Sequence, residues 1–531
     1  MLAAGCADPA ADVTPLAADS SAVARAHHAP PAWGPCPADS GYTTDPDAEC
    51  ATLDMPLDHG DPGAGSFGFF VARKRSGKPH APALWLLDGG PGSSGEELFA
   101  FYLVDEFATA MPDVDIYVPA HRGTGRSAGL FCSGEAHGTA RDVELSPAEW
   151  QACIAEVTAQ WGDKISLFNM TQAAEDLGDA IDRAHAPGQK VFVYGLSYGT
   201  TLALRYLDVR PHQADGVVLD SIASPGAVWL SQADTYFDPV LKRYGELCLL
   251  DATCASRMGP DPLAKLEATF TALDAGHCAE AGIDHALLRQ IIAISLMGWS
   301  ARPLALAVPY RLDRCTPEDV TALQTFLPFW FEPYDLYGFS HALESNIAFS
   351  EYWETPTPSP ATLAARTESA LASLDWTLER KDVYGAWPKY TPEIAPTVWP
   401  KTNVPMLMLN GTLDAETPIA LAQLAAAHFH GPHQTFVALP NAPHGGGYQS
   451  PTTLPDGLPC GMKIMASFVA DPHGHPDTSC IAAMKPLQFE RPSFAALVFG
   501  TGSLWDNIPP PAAPPPPPPM EKHAARMLRR R

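Results

Sequence analysis

Along this chain, short runs that are almost wholly apolar, without polar alternation, alternate with longer stretches whose apolar residues recur every three or four positions. The short runs are Ala83-Leu-Trp-Leu-Leu87, Val114-Asp-Ile-Tyr-Val118, Val191-Phe-Val-Tyr194, Gly216-Val-Val-Leu219, Pro405-Met-Leu-Met-Leu409 and Thr435-Phe-Val-Ala-Leu439, with Ser66 to Arg73 as an earlier strand. Their lack of polar alternation predicts strands covered on both faces, as in a parallel sheet flanked by helices. Met170 to His185, with Ala173, Leu177, Ala180 and Ile181 at helical spacing, and the segment from Thr200 to Leu207 supply helices between them. The pattern predicts an α/β fold with a doubly wound, mostly parallel sheet. Between Leu219 and Pro405 no buried-strand signal occurs, so Ser224 to Pro400 is expected to be a helical insertion. Its aromatic residues Phe326, Phe329, Trp330, Phe331, Tyr334, Tyr337 and Phe339 are expected to be core before they are a ligand box.

The ends carry little that could fold. Ala7 to Pro31 is mostly Ala, Asp, Ser and Pro with almost no large apolar residue, and Pro509 to Pro519 is nearly pure proline before a basic terminus, so both are expected to be disordered. The expected division is 1–32 as an N-terminal tail, 33–223 as the first part of the α/β core, 224–400 as the helical cap, 401–505 as the second part of the core with a C-terminal cysteine region, and 506–531 as a Pro-rich tail. No segment is apolar for long enough to span a membrane; the best is Leu287 to Trp299. A formal charge of -26 argues against nucleic acid or an anionic membrane surface as partner.

The 11 cysteines fall into close sequential pairs, Cys36/Cys50, Cys132/Cys153, Cys248/Cys254, Cys278/Cys315 and Cys460/Cys480, with Cys6 alone. That layout suggests disulfides and export, although spacing does not fix connectivity. No facing C-x-x-C pairs and no H-E-x-x-H motif occur, so no metal site is expected. Leu2-Ala-Ala-Gly-Cys6 resembles the end of a bacterial lipoprotein signal, in which the cysteine would carry a lipid anchor; the charged and hydrophobic parts of such a signal are missing before it.

The chemistry gathers at the ends of the strands. Gly195-Leu-Ser197-Tyr-Gly199 follows an apolar run and opens a helix, the context of a nucleophile elbow that holds a serine hydroxyl clear of the backbone. Gly125-Arg-Ser127-Ala-Gly129 matches the same pattern but opens no helix, and Ser127 is read as a turn residue. In folds built around such an elbow the acid and the histidine follow the serine on loops after later strands. Asp414 lies in Leu409-Asn-Gly-Thr-Leu-Asp-Ala-Glu-Thr-Pro418, where Thr417 and Pro418 are expected to cap and start a helix, and His444 lies in Leu439-Pro-Asn-Ala-Pro-His-Gly-Gly-Gly447. Asp220, also after a strand, competes with Asp414, while Glu416 is expected to be solvated. His428, His430, His433, His473 and His475 compete less well with His444, the first two standing at a helix end before the strand. The loop Asp88-Gly89-Gly90-Pro91-Gly92, after the strand Ala83 to Leu87, is expected to supply the oxyanion hole through the amides of Gly89 and Gly90, with the amide of Tyr198 as second donor. No G-K-[ST] follows it, so a nucleotide site is not expected.

Taken in order, Gly89-Gly-Pro-Gly-Ser-Ser-Gly95, His121-Arg-Gly-Thr-Gly-Arg-Ser127, Gly195 to Gly199 and Gly411-Thr-Leu-Asp-Ala-Glu-Thr-Pro418 resemble the proline iminopeptidase and tripeptidyl aminopeptidase family of α/β-hydrolases, exported members included. The likeness runs from about Trp33 to Cys480 and includes Cys50-Ala-Thr-Leu-Asp-Met-Pro-Leu-Asp58. Departures are Asp88 at the head of the glycine loop, Ala120 where relatives carry an acid before the R-G-T-G turn, and Pro443 before the histidine. The resemblance implies an exported serine peptidase that removes one or a few residues from the free N-terminus of peptide substrates without metal or cofactor. It also implies a cap acid for the substrate ammonium, for which Glu351 in Ile347-Ala-Phe-Ser-Glu-Tyr-Trp353 is the candidate, with Phe349 in place of the family's cysteine. An esterase or lipase with the same triad and an apolar cap pocket is the alternative; an inactive binding protein is disfavoured because all three triad residue types are present.

Overall fold

The computed structural model describes residues 29–37, 47–100, 103–135, 145–331 and 338–510. Cys6, most of the N-terminal tail, the tail from 511 onward, Tyr334, Tyr337 and the side chains of Phe329, Trp330 and Phe331 lie outside the described residues.

Among the described residues nine strands form one sheet, in the order β1-β2-β3-β5-β4-β6-β7-β8-β9. They are β1 (Gly34–Pro35), β2 (Ala48–Pro56), β3 (Ser66–Lys74), β4 (Ala83–Leu87), β5 (Asp115–Pro119), β6 (Val191–Leu196), β7 (Gly216–Asp220), β8 (Met406–Gly411) and β9 (Gln434–Leu439). The first three pair antiparallel, and β3 joins β5 antiparallel; from β5 through β9 every pairing is parallel. Strands β4, β5, β6, β7 and β8 are buried at every residue, which is why their sequences show no alternation.

The two sheet faces are closed by separate cores. One includes Trp85, Tyr117, Val193 and Leu219 with helix Met170–Ala184; the other includes Leu84, Leu86, Phe192, Tyr194 and Leu407 with helix Cys460–Ala470. Arg122 of the R-G-T-G turn is buried and finds its carboxylate on the helix Met170–Ala184: Nε and Nη2 donate to Asp176 at 2.6 and 2.7 Å. That bidentate pair supplies the buried guanidinium with its counter-charge. Ser127 is buried and its Oγ accepts the Phe70 amide of β3 at 2.7 Å, so it fastens the turn to the sheet.

Everything described between β7 and β8 is helical or irregular, and it divides between two cores. Helices from Phe237–Cys248 to Pro317–Phe331 enclose their own apolar centre, whereas helix His341–Glu351, Trp353, Val383 and Trp387 join the core on one face of the sheet. Phe489, Phe494, Val498, Phe499, Leu504 and Trp505 pack into the centre of those first helices, away from the sheet with which the sequence grouped them. Buried Arg311 fixes this arrangement by donating to the carbonyls of Leu504 at 2.8 Å and Ser503 at 2.9 Å. Among the described residues five disulfides join Cys36–Cys50, Cys132–Cys153, Cys248–Cys254, Cys278–Cys315 and Cys460–Cys480. Among the described residues no helix is long and apolar enough to cross a membrane.

Candidate active site

Ser197 stands between β6 and the helix Tyr198–Val209 with φ 56° and ψ -122°, a left-handed conformation that costs a serine about 1–3 kcal/mol. The corner closes because two side chains are missing. A Cβ on Gly195 would strike the carbonyl of Gly199, and one on Gly199 would strike the carbonyls of Leu87 and Asp88. The Ser197 amide donates to the Asp220 carbonyl at 3.0 Å, and Thr200 Oγ1 donates to the Ser197 carbonyl at 2.6 Å. Those bonds hold the strained residue in place.

The loop after β8 carries Asp414, fully buried. Its Oδ1 accepts the amides of Glu416 at 3.0 Å and Thr417 at 2.8 Å, and its Oδ2 accepts Thr417 Oγ1 at 2.8 Å. Thr417 therefore serves the carboxylate and does not cap the next helix, Ile419–His428, whose N-cap position is Pro418. His444, on the turn after β9, brings Nδ1 to 3.0 and 3.1 Å from the two Asp414 oxygens. Burial pushes the Asp414 pKa upward, but the His444 charge and the bonds from His444 and Thr417 outweigh it and hold the carboxyl below its usual value. Burial likewise opposes charge on His444, yet the charges of Asp414 and Glu416, the Asp414 hydrogen bond and the charge of Asp220 raise it to about 9.

The glycines after His444 are anchored from β7. Ser221 Oγ accepts the Gly445 amide at 2.7 Å, and Asp220 Oδ2 accepts the Gly447 amide at 2.8 Å together with Tyr194 Oη at 2.9 Å. Asp220 thus lies behind the histidine turn and does not bond the imidazole. Burial raises its pKa to about 6 against the bonds that favour the anion.

Ser197 and His444 both line a cavity of about 330 Å³, together with Gly89, Gly90, Tyr198 and Trp376. Gly89 packs against the serine: a Cβ there would lie 3.2 Å from Ser197 Cβ. The Gly89 amide donates to its neighbour Asp88 Oδ1 at 2.7 Å, a turn made by a short acidic side chain on its own backbone, so this expected oxyanion donor is engaged. Gly90, at φ 102°, and Tyr198 remain. Tyr198 is the first helical residue, and its amide has no intrahelical acceptor. The Tyr198 ring is steadied by His121, which burial lowers to about 4. Neutral His121 donates from Nδ1 to the Arg122 carbonyl at 2.6 Å and accepts Tyr198 Oη on Nε2 at 3.0 Å.

Glu351 does not reach this cavity. It is buried, and its Oε1 accepts the Met170 amide at 2.9 Å and Tyr390 Oη at 2.6 Å, facing the helix Met170–Ala184. The carboxylates that line the cavity are Asp88, Glu97, Glu344, Glu379 and Glu416. Glu344, on the same helix as Glu351, is neutralised by Arg380 Nη2 at 2.6 Å and also accepts Trp376 Nε1 at 2.8 Å. Glu416 was expected to be solvated; its Oε1 instead stands 3.7 Å from His444 Nε2. Its position on the acid's own loop, beside a residue that must face the histidine, was the sequence signal for it. Phe339 also lines the cavity, while Phe326 is core. Among the described residues the group with metal-ligand spacing is Cys132, Glu135 and Cys153, and its two sulfurs are joined in a disulfide.

Comparison with known proteins agrees with the topology. A family described as alpha/beta hydrolase fold matches residues 82–248, from β4 through the elbow and into the inserted helices. Serine protease Hip1 of Mycobacterium tuberculosis and of Mycobacterium bovis is 25% identical over 264 residues, 46% of this chain and 50% of the relative. The chain thus spans about half the length of the curated relatives it matches. Among solved structures, a serine hydrolase from Cycloclasticus zankles is 13% identical, covers 74% of this chain and 91% of its own, and has a TM-score of 0.29. A thermophilic esterase from Thermogutta terrifontis is 14% identical over 74% of this chain and 91% of its own, with a TM-score of 0.28.

Proposed function

The chain has the α/β-hydrolase fold, and on that premise we propose that it is a serine hydrolase that cleaves amide bonds next to the free N-terminus of peptides. The observation that carries the reading is the buried Asp414 holding His444 Nδ1 at 3.0 Å on the wall of the cavity that Ser197 lines from a strained elbow. In the proposed reaction Ser197 Oγ attacks the scissile carbonyl carbon as His444 Nε2 takes its proton. The carbonyl oxygen becomes an oxyanion facing the amides of Tyr198 and Gly90. When the tetrahedral intermediate collapses, the C–N bond breaks and the leaving amine takes the proton from His444. Water then repeats the sequence on the acyl-enzyme, releasing the acid and restoring Ser197. Asp414 keeps the imidazole oriented and stabilises its cation throughout.

Two observations support a peptidase over an esterase: the likeness to a serine protease, and the carboxylates on the cavity wall, which favour a cationic substrate. Five disulfides favour an oxidising compartment and hence export. The domain division proposed is an α/β core carrying the helical insertion as a cap over the site. The alternative, ester hydrolysis with the same triad, is favoured by the apolar part of the wall, including Leu145, Val228, Phe237, Ile294 and Met297. A panel of aminoacyl, prolyl and tripeptidyl fluorogenic amides, their N-acetylated counterparts and short-chain p-nitrophenyl esters separates the two. Amide turnover that requires a free amine is expected; ester turnover with no amide turnover would overturn the peptidase reading.

A further inference from the structure

Resting on the reading of His444 as the general base, we propose that Gln449 is a positioning residue for that base, and that through it the inserted helices form part of the mount on which the imidazole sits. The turn that carries His444 is joined, on both sides of the histidine, to the segment between helix His285–Met297 and helix Leu304–Arg314. Gln449 is buried; its Nε2 donates to the His444 carbonyl at 2.6 Å and to the Met297 carbonyl at 3.0 Å, while its Oε1 accepts the Trp299 amide at 2.8 Å. Carbonyls only accept and a backbone amide only donates, so these partners admit one orientation of the side chain and use both of its N–H groups. On the other flank, buried Arg302 donates from Nη1 to the Asn441 carbonyl at 2.7 Å, its guanidinium 5.5 Å from the centre of the Trp299 ring and 5.8 Å from that of Tyr244.

The turn depends on such fastening. Three glycines follow His444, and both Gly445 at φ 68° and Asn441 at φ 56° are left-handed, so few side chains restrain the backbone from within. Ser221 and Asp220 hold the amides of Gly445 and Gly447 from below, and Gln449 holds the carbonyl of His444 itself. The Gln449 amide donates to the Gly445 carbonyl at 2.9 Å, so the side chain springs from the same turn that it braces.

Asp414 sets the direction of the ring through Nδ1, and the backbone bond sets where the ring starts. Nε2 must meet Ser197 Oγ within hydrogen-bond reach, and a displacement of about 1 Å there costs on the order of 10²-fold in rate. Met297 lines the cavity with its side chain and holds Gln449 with its carbonyl, so one segment of the insertion is both wall and mount. The insertion therefore acts on the base even for a substrate too small to fill the cavity.

Gln449→Met, close in volume but without the donors and the acceptor, tests the proposal with p-nitrophenyl acetate and with fluorophosphonate labelling of Ser197. Gln434 is the matched control: its Nε2 donates to the carbonyls of Thr402 at 3.0 Å and Val404 at 3.3 Å and its Oε1 accepts the Gly431 amide at 2.9 Å, at the opposite ends of β8 and β9 from the site. In folded Gln449→Met, kcat and the labelling rate are expected to fall about 10- to 100-fold with KM within about twofold. The acid limb of the pH profile stays in place, because no charge near His444 has changed. Gln434→Met keeps both rates. In the His444→Ala background Gln449→Met brings no further loss, since no imidazole is left to place. Should Gln449→Met not fold, Gln449→Asn, whose amide is one methylene shorter, takes its place with the same direction expected. If His444→Ala retains the wild-type rate, the reading of His444 as base falls. If His444→Ala is inactive but the folded Gln449 variant keeps the wild-type kcat and labelling rate, or Gln434→Met loses as much, that reading stands and the role given to Gln449 is overturned.

Discussion

Replacing Asp220 with Asn isolates the electrostatic cost of the support beneath His444. Asp220 is fully buried, and its Oδ2 accepts Tyr194 Oη at 2.9 Å and the Gly447 amide at 2.8 Å. Burial raises its pKa to about 6 in spite of those bonds, against about 3.9 for an unperturbed aspartate. The folded protein therefore binds a proton more tightly than the unfolded chain, and its stability falls as pH rises from about 4 to about 6. At 1.36 kcal/mol per unit, the ionised side chain costs the fold about 3 kcal/mol above that window. Asparagine has the same shape and an oxygen that can accept both bonds, but it never ionises. The stability difference, variant minus wild type, is expected to be small and negative near pH 4 and to rise by up to about 3 kcal/mol by pH 7. Urea denaturation followed by tryptophan fluorescence at the two pH values measures it. A difference that does not change with pH, or an Asn variant that is markedly less stable at neutral pH, would refute the reasoning. Asp220→Ala is the control: it strands two buried donors at about 1–3 kcal/mol each and should destabilise at every pH.

Three further outcomes follow from the geometry. Because His444 must be neutral to act as a base and is raised to about 9, hydrolysis of a neutral ester should increase about tenfold per pH unit through the neutral range and level off near pH 9; a plateau reached by pH 7 contradicts the electrostatics. Ser127→Ala removes the acceptor of the Phe70 amide and should cost about 1–3 kcal/mol in a denaturation assay while leaving the rate of active-site labelling unchanged. Mass spectrometry of protein from its native host should find no free thiol at the ten bridged cysteines, and reduction should lower the melting temperature, each bridge being worth about 2–4 kcal/mol.

The central strands were legible because burial on both faces removes polar residues from them, and β4 is observed at the limits its sequence suggests, Ala83–Leu87. Strand β2, between β1 and β3, was not. Its outward residues Glu49, Thr52 and Asp54 and its closing proline blur the alternation, and its pairing with β3 is a long-range fact. Ser197, Asp414 and His444 were singled out because each follows a strand, and the structure gathers those strand ends, with Ser197 and His444 on one cavity and Asp414 bonded to His444. Glu351 misled because a helix face is two-dimensional. Glu344 and Glu351 are seven residues apart and share a face, but they are separated by about 10 Å along the axis, so one lines the cavity and the other lies under Tyr390. Thr417 misled because its hydroxyl can serve a cap or a carboxylate, and only the folded loop decides.

The claim on which the rest depends is that Ser197, activated by His444 and Asp414, is the nucleophile. Fluorophosphonate labelling with peptide mapping, on the wild type and on His444→Ala and Asp414→Asn, tests it most directly. The expected result is a single adduct on Ser197, lost in His444→Ala and slowed in Asp414→Asn, with kcat of Ser197→Ala and His444→Ala reduced on the order of 10⁴ to 10⁶. An adduct on Ser127, or labelling of Ser197 that persists at the wild-type rate without His444, would contradict it.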